Sequence, residues 1–267
     1  MKNILTFDIE EWYDANYKNI DLAGSDLQKS NLENEVREIL DLCERYQAKA
    51  TFFILGKAAQ KNPDSVKMIQ EKGHEIASHG YEHRLVYNLS PLEFKADLKK
   101  SLEILESITG EKVFGYRAPS WSIKKETAWI YPILAEMGLK YSASCFPVKT
   151  FLYGMPDAPR FPYLIKNILE IPVSTIRILG KNIPFSGGAY FRFLPEFLIK
   201  TGIRSINRQG KPAIIYLHPR EIDKKAPRLN LPFKEKLIHY WGISQTKNKL
   251  KNILKDFNFT SINEIYF

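Results

Sequence analysis

Along the first two-thirds of the chain, short apolar runs alternate with longer stretches in which apolar residues return every three or four positions. The runs "NILTFDI" (3–9), "KATFFILG" (49–56), "HEIASHG" (74–80), "KVFGYRAP" (112–119) and "LKYSASCF" (139–146) have the length and composition of strands. Between the first two, Leu32, Val36, Ile39, Leu40 and Cys43 share one face of a predicted helix. A shorter helix is expected over 65–73, closed by Gly73 in a left-handed cap. The clearest helix start lies at Ser90. Pro91 takes the first helical position and Glu93 completes a capping box, ahead of an inner stripe of Leu98, Leu102, Leu105 and Ile108. A further helix is predicted over 125–138.

Beyond residue 145 the alternation loosens. Residues 146–165, "FPVKTFLYGMPDAPRFPYLI", are rich in proline and aromatic residues and predict an ordered loop packed by its own rings. "NILEIPVST" (167–175), "KPAIIYLHP" (211–219) and "FNFTSINEI" (257–265) resume as strands, with helices near 195–208 and 245–256. No repeat or low-complexity linker divides the sequence, so one domain over 1–267 is expected. Repeated strand–helix units predict an α/β fold: a mostly parallel sheet covered by helices, open or closed into a barrel. Active sites in such folds gather at the carboxyl ends of the strands. Those ends here carry Asp8-Ile9-Glu10, His79 with His83, Arg117 and His218.

These residues suggest chemistry. His79 and His83, four apart, converge two imidazoles on one metal if they lie on a helical turn. A third ligand is available from the opening strand, where Asp8 and Glu10 share a face, one free to bind metal and the other to accept a proton. Glu11 points the opposite way on an ideal strand but stands at its end, where it can turn in. A buried Arg117 would pair with a carboxylate, and His218 is either a proton donor or a satisfied core histidine.

Composition adds limits. The 267 residues suffice for a large core, and 44% hydrophobic with 26% charged residues argue against wholesale disorder. Cys43 and Cys145 match no zinc or redox spacing and are expected as reduced core residues, which favours the cytosol. No targeting segment is visible, because only a few apolar residues separate Lys2 from Asp8. A formal charge of +9 suggests a phosphate-bearing substrate, an acidic membrane surface or nucleic acid, if it is more than solvated lysines. The most basic candidate, "KNKLKNILK", keeps its leucines at helical spacing, so a core-packed helix is expected and no nucleic acid partner. "GAYFRFLPEFLIKTGIRS" (188–205) suits either a helix covering the barrel or peripheral contact with the inner membrane face.

In order, "TFDIEEW", "HGYEH", "RAP" and "YLHP" resemble the motifs of the polysaccharide deacetylase family, the NodB-homology group of carbohydrate esterases. "YGMPDAPRFPY", "SGGAYFR" and "HPREID" are similar to a branch associated with O-antigen, capsule or exopolysaccharide synthesis, which makes 146–267 the region of subgroup-specific loops. The resemblance implies a distorted (β/α) barrel of seven to eight mostly parallel strands. It implies Glu10, His79 and His83 as ligands of a divalent metal, zinc first, with cobalt, nickel or manganese as alternatives. Asp8 becomes the base, Arg117 its orienting partner and His218 the acid. The backbone N–H of Ser120 helps hold the oxyanion, Trp121 and Leu217 line the acetyl pocket, and Trp12 and Tyr13 form a wall for a sugar ring.

The sequence departs from the family pattern in three places. Asp8-Ile9-Glu10-Glu11 replaces adjacent aspartates, leaving Glu11 as an alternative ligand, and Gly80 replaces a hydroxyl residue. "YSASCF", with Ser142 and Ser144, lacks the acid that tunes the catalytic histidine, so Asp157 or Glu170 is expected to substitute. The implied function is a metal-dependent N-deacetylase acting at the cytosolic face. Its substrate would be an N-acetylated sugar in a surface-glycan precursor that carries a diphosphate, nucleotide-activated or lipid-linked. The alternatives are an amidohydrolase for a non-sugar N-acyl or cyclic amide and an inactive glycan-binding barrel.

Overall fold

A computed structural model of the chain describes residues 1–14, 30–148, 150, 153–223 and 232–267. In chain order the first strands are β1 (Lys2–Ile9), β2 (Thr51–Ile54), β3 (Glu75–Ser78), β4 (Gly115–Tyr116) and β5 (Tyr141–Ser142). Then follow β6 (Tyr163–Ile165), β7 (Ile168–Glu170), β8 (Thr175–Ile178), β9 (Lys181–Pro184), β10 (Ile214–Leu217) and β11 (Asn258–Thr260). The helices are α1 (Leu32–Arg45), α2 (Gly56–Lys61), α3 (Pro63–Glu71), α4 (Pro91–Thr109) and α5 (Ile130–Glu136). The second half adds α6 (Gly188–Phe193), α7 (Glu196–Asn207), α8 (Phe233–Tyr240), α9 (Ile243–Asp256) and α10 (Asn263–Tyr266).

Nine strands form one curled sheet in the order β10-β1-β2-β3-β4-β5-β7-β6, with β11 pairing the first residues of β1. Every pairing is parallel except β6 with β7. The expected distorted α/β barrel of mostly parallel strands is therefore what the sequence forms, with nine strands in the sheet where seven to eight are expected. Its ring is completed without a continuous ladder. Ile171 N–H donates to Ser142 O, Val173 N–H to Cys145 O, Ile214 N–H to the Ser174 hydroxyl and Tyr216 N–H to Ser186 O.

Alternation along the strands sorts the core into two layers. Leu5, Phe7 and Ile9 of β1 point outward to Val36, Ile39, Leu40 and Cys43 of α1, as the helical stripe predicts. Ile4, Phe53, Ala77, Tyr141 and Ile214 point inward and fill the barrel. The Ser90 start of α4 carries its capping box, with Glu93 N–H to Ser90 Oγ and Ser90 N–H to Glu93 Oε2, and Gly110 ends it at φ 69°. Cys43 and Cys145 are free and buried, and burial pushes the Cys43 thiol up to about 12.

Some predicted strands are shorter than their apolar runs. In 112–119 and 139–146 only two residues each join the ladder, because side chains take the next backbone donors. Ala118 N–H bonds Ser144 Oγ, and the N–H groups of Ser144 and Cys145 both bond Glu170 Oε1. The 146–165 loop is packed through Phe146 and Tyr153, whose rings meet edge-on, and its end forms β6; Lys149, Phe151 and Leu152 of that loop lie outside the described residues. Run 167–175 splits between β7 and the start of the separate β8–β9 hairpin.

Candidate active site

Strand parity carries the acids of the opening strand inward. Ile4 faces the barrel interior and Thr6 bonds the buried Arg117, so Asp8 shares that face and Glu10 follows two residues later. Asp8 Oδ1 accepts from Arg117 Nη1 at 2.5 Å, and the same nitrogen donates to Thr6 Oγ1 at 2.9 Å. Arg117 Nε donates to Ala143 O at 3.1 Å, and the guanidinium lies 4.0 Å from the Phe53 ring centroid. At 1% exposure the guanidinium cannot swing away, so Asp8 has a fixed counter-charge and a fixed orientation.

Glu10 Oε2 is 2.7 Å from His83 Nε2 and 3.7 Å from His79 Nε2, while Oε1 pairs with Arg220 Nη1. Burial would raise the Glu10 pKa, but His83, Arg220 and His79 outweigh it and hold the carboxyl well below the usual range. Burial also opposes the charge on His83, yet Glu10 and Asp14 raise its pKa. His79 Nδ1 lies 2.8 Å from the Arg117 carbonyl, which can only accept. Nδ1 therefore carries a proton, and Nε2 is turned toward Glu10.

Glu10, His79 and His83 each offer a ligand atom within 4.8 Å of the others. Glu10 Oε2 is buried and faces the two imidazoles. Two imidazole nitrogens and a carboxylate oxygen suit a divalent first-row cation, so these residues fit a metal. They converge through a turn, not the expected helical turn. Gly80 has φ 78° and His83 φ 57°, and Asp97 of α4 accepts the N–H groups of Tyr81 and Glu82 at 2.7 and 3.3 Å. The left-handed backbone explains the glycine where the family motif has a hydroxyl residue. Glu11 points elsewhere: it is not in the triad, and burial raises its pKa.

His218 reaches the same point from β10. Its Nε2 is 3.9 Å from both Asp8 Oδ2 and Glu10 Oε1, and its Nδ1 is 2.9 Å from Glu221 Oε2. Glu221 Oε1 accepts from Arg192 Nε at 2.6 Å. Burial would raise the Glu221 pKa, but Arg192, His218 and Arg220 keep it far below the carboxylate range. Neither expected acid partners His218. Asp157 is exposed, and Glu170 is committed to Tyr131, Ser144 and Cys145. Glu221 and Arg220 escaped the sequence reading, although "HPRE" carries the same proline-then-acid turn signal as the Ser90 cap.

The expected binding residues divide. Trp121 lies 4.9 Å from the Arg117 guanidinium and 4.9 Å from the Tyr216 ring, beside the site. Ser120 stands half-buried in the same turn at φ 49°. Leu217 is corrected: odd parity on β10 turns it outward against Phe7, and Tyr216, 6.2 Å from His218, takes the inner position. Trp12 is also corrected. It is 3% exposed and packed edge-on against Tyr13, so Tyr13, half-buried and bonded to Lys61, is the residue with surface to offer.

The family model described as polysaccharide deacetylase matches residues 4–142, just over half the chain. The chain belongs to the polysaccharide deacetylase family. A second model, a domain of unknown function (DUF3473), matches residues 143–267. A peptidoglycan deacetylase of Helicobacter pylori is 31% identical over 109 residues, 41% of this chain and 36% of that protein. A peptidoglycan-N-acetylmuramic acid deacetylase of Bacillus subtilis is 30% identical over 123 residues, 46% of this chain and 26% of that protein. The chain thus spans about a third or less of these relatives. A solved polysaccharide-deacetylase-like chain from Mycobacterium smegmatis aligns with a TM-score of 0.60 at 19% identity, covering 98% of this chain and 87% of that one.

In this polysaccharide deacetylase family member the two matches share one sheet, because β10 pairs β1 and β7 pairs β5 across the boundary. The first supplies Asp8, Glu10, His79, His83 and Arg117. The second supplies His218 with its supports Glu221 and Arg192.

Proposed function

We propose that the protein is a metal-dependent N-deacetylase of an N-acetylated glycan. The observation that carries this is one cluster: Asp8 on Arg117, Glu10 between two histidines, and His218 Nε2 at 3.9 Å from both carboxylates. A divalent cation held by Glu10, His79 and His83 would polarise the amide carbonyl and acidify water. Asp8, held by Arg117, accepts the proton of the attacking water at its free oxygen. His218 donates from Nε2 to the departing amine, while Glu221 fixes the ring through Nδ1. Trp121 and Tyr216 bound the acyl side of the site. The inactive-barrel alternative loses its support, because Glu221 fills the role of the missing acid.

On substrate, the charge of +9 supports a surface-glycan precursor bearing a diphosphate, nucleotide-activated or lipid-linked, handled at the cytosolic face by one catalytic unit spanning 1–267. The relatives act, by their names, on peptidoglycan. Among the described residues no helix is long and apolar enough to cross a membrane.

The test is metal content joined to acetate release. Wild type is expected to hold about one divalent ion per chain and His79→Ala or His83→Ala markedly less, with acetate release abolished by chelation and restored by zinc, cobalt, nickel or manganese. Wild type that takes up no metal after reconstitution would sink this function. A screen of peptidoglycan fragments, nucleotide sugars and lipid-linked saccharides then distinguishes the substrates.

A further inference from the structure

A second cleft, of about 830 Å³, opens between residues 156–161 and the β8–β9 hairpin. Its wall carries three cations, Arg160, Arg177 and Lys181. Its one carboxylate, Asp157, is exposed, and among the described residues no carboxylate lies within 4 Å of the three cations. Arg160 is anchored: Nη2 donates to Thr175 O at 2.5 Å and Phe161 packs against the guanidinium at 5.1 Å. Arg177 follows Thr175 by two residues on β8 and so shares its face. Burial and the facing charge of Arg177 lower the pKa of Arg160. The anchored Arg160 guanidinium and the exposed Arg177 thus line one space, and among the described residues neither has a carboxylate partner.

The hairpin tip adds an independent feature. Leu179 and Gly180 form its two-residue turn with φ 48° and 78°, a geometry that favours Asn-Gly. Leu179 is instead apolar and 98% exposed, next to Ile178 at 50%. An apolar tip flanked by Arg177 and Lys181 suits a surface of anionic headgroups. On its other side Pro147 of the cleft wall follows Phe146, whose ring lies 5.8 Å from Trp121.

We propose that this cleft is a subsite for a phosphate or diphosphate group, gripped by Arg160, Arg177 and Lys181 and presented by a soluble saccharide or by a lipid headgroup met at the hairpin tip. Planar guanidinium forks match phosphoryl oxygens in pairs. Anion binding stands on the cleft alone; that the anion belongs to the molecule being deacetylated rests on the function proposed above.

Calorimetric titration with inorganic pyrophosphate tests it, comparing wild type with the double variant Arg177→Glu, Lys181→Glu, whose side chains are exposed and whose melting temperature should match wild type. The double variant should bind at least about tenfold more weakly, and wild-type affinity should fall with added salt. Co-sedimentation with phosphatidylcholine vesicles, with and without phosphatidic acid, separates the sources. Retention by the acidic vesicles that is lost in the double variant and in Leu179→Ser assigns a lipid headgroup. Pyrophosphate binding without vesicle retention assigns a soluble phosphoryl ligand. Equal pyrophosphate affinity in wild type and double variant, or no binding in either assay, overturns the subsite. Neither assay reads acetate release, so the result is independent of whether the protein deacetylates.

Discussion

His218 takes its orientation from Glu221, three residues further on, and Glu221 takes its charge balance from Arg192 on α6. Glu221→Gln should lower kcat by about 10- to 100-fold with little change in KM, and Glu221→Asp should recover part of the loss. Steady-state kinetics beside a denaturation curve separate this from misfolding. A residue far from the site should govern pH stability. His74 Nδ1 accepts the Ala50 N–H at 3.2 Å, and burial with Lys49 and Lys72 lowers its pKa to about 4. The folded state then resists the proton that the unfolded chain accepts below about 6.5. Stability is intact above that pH and falls as pH drops toward 4, by about 3 kcal/mol from this residue. Urea denaturation at pH 7.5 and 4.5 should show a smaller difference in His74→Gln than in wild type.

At the scale of elements, the turn after β3 brings the two histidines together. A Cβ on Gly80 would come within 3.0 Å of Asp97 Oδ2, at φ 78°. Gly80→Ala should therefore cost about 1–2 kcal/mol and reduce bound metal, read by denaturation midpoint and metal analysis on the same sample. The spacing of His79 and His83 was legible in the sequence as a metal signal, but the turn that unites them was not, since it depends on Asp97 from α4 accepting two backbone N–H groups. Parity was equally legible where a strand is long. On β1 it puts Asp8 and Glu10 inward, and on β10 it puts Tyr216 and His218 inward and Leu217 outward. The assignment of Leu217 to the acetyl pocket fails on that rule.

At the scale of the molecule, the two family matches divide a sheet that is physically continuous. A chain ending at residue 142 would leave β5 without β7 and strip β10 and β11 from β1, exposing backbone donors and apolar side chains of the central strand. Such a fragment is expected to be insoluble or to melt without cooperativity, whereas the full chain gives one transition. Scanning calorimetry and circular dichroism of the two proteins check this.

The sequence by itself determined what is periodic or local. It contained the strand–helix alternation and so the parallel sheet, the capped start of α4, the shared face of Asp8 and Glu10, and the strand-end placement of the histidines and Arg117. Each follows from neighbours within a few residues. The tertiary structure decided what distant segments meet: that Arg117 carries both Asp8 and the carbonyl orienting His79, that Glu221 and not Asp157 or Glu170 supports His218, and that Arg160 and Arg177 face one cleft. Such pairings depend on sheet curvature and on loop paths that spacing along a chain does not encode.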